Sequence, residues 1–106
     1  MNRIVALLLF ATSSLAAVPA PAQDVDALAK GKAMAEQVCS ECHAVRKGQA
    51  QSPNALAPSF EKVATTPGMT SIALTAALRT SHRAMPNIIL SDDELRGVIA
   101  YITSLQ

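Results

Sequence analysis

Cys39-Ser40-Glu41-Cys42-His43 is the stretch on which the reading of this 106-residue chain turns, and it holds both of its cysteines. Two thiols three positions apart, with an imidazole directly after the second, admit several chemistries. A dithiol redox pair expects a thioredoxin-like βαβ surround, and no strand-like alternating run flanks this one. A zinc site needs four ligands, and the chain's cysteines and histidines are Cys39, Cys42, His43 and His82. Adjacent Cys42 and His43 turn awkwardly toward one tetrahedral ion. A plain disulfide leaves His43 without a role.

Covalent haem attachment uses all three side chains. In the C-x-x-C-H pattern each thiol adds across one haem vinyl group, so sulfurs about one helical turn apart stitch the porphyrin edge to the chain. His43 is then carried beneath the ring, where its imidazole binds iron. One covalent haem c is the expected cofactor.

The N-terminus points to the matching compartment. Met1-Asn2-Arg3 is a short positive start, Ile4 to Ala11 an apolar run, and Ala20-Pro21-Ala22 an A-x-A-like cleavage site. Residues 1–22 are therefore expected to be a signal peptide and 23–106 a single domain. The apolar run is far below the length of about 20 residues that spans a bilayer, and no cysteine near the cleavage site offers a lipid attachment point. The expected form is periplasmic and soluble, without a membrane anchor, in a compartment where free thiols tend to oxidise.

Removing that leader takes Arg3 from nine basic residues and leaves eight against eight acidic ones. With no basic excess to neutralise phosphates, nucleic acid is not an expected partner. Only Phe60 and Tyr101 remain as aromatics. A domain of about 80 residues rarely gains more than a few kcal/mol from its own core; a porphyrin would supply the missing apolar mass.

Three main helices and a short one follow from the pattern. The first is expected over about Asp26–Cys39, with Asp24 or Asp26 as N-cap and Leu28, Gly31, Ala35 and Val38 facing inward. Gly31 costs about 1 kcal/mol relative to Ala inside a helix, which suggests close packing against another helix. A polar loop spans Ala44 to Ala57. Ser59 caps a short helix to Ala64, Thr66-Pro67-Gly68 is a turn, and Thr70 caps a helix to about Thr80 with Ile72, Leu74, Ala77 and Leu78 as its apolar residues. Ser91 and Glu94 form a capping box before a stripe of Leu95, Val98, Ile99, Ile102 and Leu105. Tyr101 falls beside that stripe, within reach of Gly31 if the terminal helices cross. The fold class is all-α.

Haem iron has a second axial position. Met1 leaves with the leader, and Met34 sits too near the haem motif in sequence to reach the opposite face easily. Met69, at a loop-to-helix start, stays open on spacing alone. Met85 precedes Pro86-Asn87 in a non-helical segment that can lay a thioether across the distal face. His82, three residues earlier, is the competing ligand, though a haem-edge hydrogen-bonding role suits it better.

Residues 27–106 resemble a small class I bacterial cytochrome c. The resemblance rests on Gly31 eight residues before Cys39, Cys39–His43, Ala57-Pro58-Ser59-Phe60, Met85-Pro86 ahead of Leu90-Ser91-Asp92-Asp93-Glu94-Leu95, and Ile99-Ala100-Tyr101. It implies the cytochrome c fold around the haem, thioethers at Cys39 and Cys42, His43 and Met85 as iron ligands, and a Pro58 carbonyl accepting from the other ring nitrogen of His43. Gly31 and Tyr101 would mark the helix crossing. Ala57 replaces a frequent Gly, and Ala35 an aromatic that often packs at the crossing.

The expected function is one-electron transfer between redox partner proteins, met transiently by a monomer, rather than catalysis. Val45, Arg46 and Arg83 are expected to flank the exposed haem edge. The alternative is a c-haem protein that binds a gas or peroxide after releasing a labile Met85.

Overall fold

Ser91 shows how local chemistry sets the architecture. Its Oγ accepts from the Glu94 backbone N–H at 3.3 Å while the Glu94 carboxylate accepts from the Ser91 N–H at 2.8 Å. This reciprocal cap starts a helix over Asp92–Thr103. Thr70 and Ser59 each cap the same way, accepting from Ala73 and Lys62, and start helices at Ser71–Arg79 and Phe60–Thr65. In the computed structural model, which describes residues 21–80 and 84–106, these are α4, α3 and α2, and α1 is Pro21–Gln37. A 3₁₀ turn at Cys39–Glu41 follows α1, and the described residues contain no strand. The fold is all-α, as a cytochrome c fold requires.

α1 departs from expectation at both ends. Among the described residues it already runs at Pro21, ahead of both Asp24 and Asp26. Asp26 is therefore no cap; it lies inside the helix and pairs with Lys30 one turn on at 2.9 Å. The α-helix stops at Gln37, and the chain tightens into the 3₁₀ turn that carries Cys39.

α1 and α4 pack against each other along Ala35, Val98, Tyr101 and Ile102, all buried. Gly31 permits the approach, and what it meets is Gly97 rather than Tyr101: a Cβ built on Gly31 would lie 1.7 Å from the Gly97 carbonyl oxygen. Ala35 is fully buried at this packing seam. Leu74 buries α3 and Leu78 follows one turn later, but Ile72 is 82 % exposed. Two residues before Leu74 is about 200° around a helix, so Ile72 points away from the core.

Candidate haem site

Val38 links α1 to the 3₁₀ turn, which then presents Cys39 and Cys42 as free, half-buried thiols. The backbone N–H groups of Cys42 and His43 both donate to the Cys39 carbonyl, so one oxygen anchors the whole turn. Burial pushes the Cys39 thiol above its ordinary pKa, keeping its proton on.

His43 Nδ1 lies 2.7 Å from the Pro58 carbonyl oxygen. A carbonyl only accepts, so Nδ1 carries the proton and Nε2 keeps its lone pair for a metal. The segment 58–60 holds this residue in two further ways. The Phe60 N–H donates to the Ala44 carbonyl at 2.9 Å, and the Phe60 ring packs tilted at 51° against the imidazole with centroids 5.5 Å apart.

The turn forms part of the wall of an apolar cleft with about 300 Å³ of space, open solvent at its mouth included. Met34 of α1, Val38 and Cys39 just beyond it, Leu78 of α3, Val98 of α4, and Met85, Ile88 and Leu90 of the 84–90 segment form its wall. Cys39 and Met85, 46 positions apart, thus share one cleft. Met34 shares it too, brought in because it stands one helical turn from Val38 on the same face. Met69 packs against the core instead. His43, Cys42 and Pro58 are not in the cleft wall. His82 and Arg83 lie outside the described residues.

This donor set suits covalently held haem. It offers two thiols on one turn, an imidazole with Nε2 free to ligate, and apolar walls that carry a thioether but no carboxylate. Among the described residues, no three His, Cys, Asp or Glu side chains come together to hold a metal ion directly. The match to known proteins agrees with the geometry: residues 26–102 fit the family model described as cytochrome c oxidase, cbb3-type, subunit III. The chain belongs to that family. It is thus a c-type cytochrome domain, which implies covalently bound haem c and haem-based electron transfer. No curated protein and no solved structure matches it. No helix among the described residues is long and apolar enough to cross a membrane.

Within this cytochrome domain, Val45 does not flank an exposed edge as its sequence position suggested. It is 3 % exposed, and its carbonyl accepts from the Tyr101 hydroxyl at 2.8 Å. The next residue, Arg46, does reach solvent and pairs with Glu36 of α1 at 3.1 Å. Sequence reasoning missed Gly97 and the lining role of Met34. A glycine inside the apolar stripe of α4 was the available signal for the first.

Proposed function

We propose that this c-type cytochrome domain is a periplasmic one-electron carrier. Cys39 and Cys42 hold one haem c, and His43 and Met85 are its two iron ligands. The observation that carries the reading is the shared apolar cleft of Cys39 and Met85, together with an imidazole whose Nδ1 is already committed to Pro58. Haem c bound here supplies an Fe(II)/Fe(III) couple.

The chain's own residues do the rest. Thiols suit attachment, because S–H would add across a vinyl double bond and nothing leaves. Pro58 fixes the imidazole tautomer and makes it a more basic ligand. Met85 as the second ligand raises the reduction potential and leaves no open position for substrate, which favours a carrier over an enzyme. Leu78, Ile88, Leu90 and Val98 exclude water from the ring. Arg46, exposed beside the motif, is placed to meet a redox partner protein in a small, transient encounter. The N-terminal leader pattern of residues 1–22 supports export of a soluble domain.

Optical spectra of the haem-loaded protein test this. The wild type should show a weak ferric band at the red end, the mark of methionine–iron ligation, and Met85→Ala should abolish it. Loss of the band on Met34→Ala or Met69→Ala with Met85→Ala unaffected would reassign the ligand. A ferrous spectrum that shifts on adding carbon monoxide would favour a gas-binding role instead.

A further inference from the structure

His43 lies just past the last regular element, the 3₁₀ turn Cys39–Glu41, and residues 44–57 contain no helix among the described elements. Its orientation therefore depends on whatever fixes the backbone of residues 43–45. Two of the fixing bonds, from His43 Nδ1 to Pro58 and from Phe60 to Ala44, come from the neighbouring segment 58–60. A third comes from α4, 56 positions away, where the Tyr101 hydroxyl donates to the buried Val45 carbonyl. The Tyr101 ring also backs the Phe60 ring, with centroids 6.5 Å apart and a tilt of 58°, and Phe60 in turn contacts His43. Tyr101 thus reaches the imidazole by two routes, through the peptide of Val45 and through the ring of Phe60.

We infer that Tyr101 is a positioning residue for His43, and that its hydroxyl tunes the reduction potential by holding the Nδ1–H to Pro58 bond in alignment. This rests on the reading of His43 as a haem ligand. The physical chain is short. A hydrogen bond donated from Nδ1–H gives the ring more imidazolate character, which favours Fe(III) and lowers the potential. Removing the Tyr101 hydroxyl leaves a buried carbonyl without its partner, and such groups are costly enough to force the local peptide to shift. Residues 44–46 then move, the His43 ring loses its alignment with Pro58, and the potential rises.

Tyr101 is the chain's single tyrosine, so the hydroxyl can be perturbed in both directions. In haem-loaded Tyr101→Phe the ring packing stays and the donor goes. The potential should rise, and the His43 Nδ1–H proton should exchange with solvent roughly fivefold faster in the ferrous state, the factor one net hydrogen bond gives. Uniform 3-fluorotyrosine labelling makes the same hydroxyl a stronger donor and should lower the potential. Ile102→Val, a buried neighbour on α4 without a bond to residues 43–45, should lower thermal stability and leave both readouts unchanged. Unmoved potential and exchange in Tyr101→Phe, or equal shifts in Ile102→Val, would overturn the inference. Wild-type protein without covalent haem would overturn the reading of His43 beneath it, a failure that haem content alone identifies.

Discussion

Gly31→Ala tests the helix crossing on which the whole domain is hung. The added Cβ would lie 1.7 Å from the Gly97 carbonyl oxygen, 2.1 Å from its carbon and 2.8 Å from the Val98 nitrogen, all backbone atoms that no rotamer change can move. Real Cβ contacts essentially never fall under 3.0 Å, so α1 and α4 must part by about 1.3 Å in a close-packed interior. A gap of that size forfeits on the order of half the dispersion attraction at the crossing, and overpacking of this kind costs about 3 kcal/mol. Ala returns about 1 kcal/mol of helix propensity over Gly. The net is a loss of about 2 kcal/mol, or a Tm lower by roughly 10 °C for a domain this small. Gly97→Ala is the internal control. Its Cβ would meet Ala27 O and Gly31 N at 2.9 Å and Gly31 Cα at 3.1 Å, backbone atoms that must also give way, though by less than at Gly31. Its cost should be smaller than that of Gly31→Ala. Far-UV circular dichroism of the haem-loaded proteins on heating reads both. A Gly31→Ala protein as stable as wild type, or less perturbed than Gly97→Ala, would refute the reasoning.

Leu74→Ala removes the one buried side chain of α3 and should destabilise by about 2–5 kcal/mol in denaturant titration. Glu94 ionises below its ordinary pKa because it accepts from the Ser91 backbone N–H and hydroxyl. The capping contribution is therefore fully present above the unfolded carboxyl's pKa and is lost as pH falls through the lower folded value. Stability of the wild type should drop across that acidic window, and Glu94→Gln should flatten the drop.

The parts of the fold legible in the sequence are those decided within one or two helical turns. The caps at Ser59, Thr70 and Ser91 all form, because each rests on a side chain bonding a backbone N–H three residues on. The stripe of α4 is buried as its period requires. What resisted reading depends on partners far along the chain. Gly97 carries no signal until Gly31 is laid across it, and Ile72 joins the apolar count of α3 until Leu74 fixes which face turns inward. Neither Asp24 nor Asp26 starts α1, because the helix already runs through both positions, and a side chain that can cap gives no sign of whether the chain before it is helical.

The site divides along the same line. The spacing of Cys39, Cys42 and His43 is a statement about one turn of backbone, and the structure has only to present it. Pro58 entered by resemblance alone and Met85 by its place in a non-helical segment as well as by resemblance, since no local rule links either to residue 43 or 39. The structure supplies the link, a 2.7 Å bond for Pro58 and a common cleft wall for Met85. Val45 illustrates the converse error. Next to the motif in sequence, it looked like part of the exposed edge, yet its carbonyl is the anchor for Tyr101 and its side chain is buried. That burial has a consequence for electron transfer. With Val45 facing inward, Arg46 alone of this pair is exposed, and its bond to Glu36 is a surface ion pair of the kind that contributes little to stability. An exposed, weakly held cation beside the attachment motif can exchange Glu36 for another carboxylate at little cost, which is what the proposed carrier role asks of this surface.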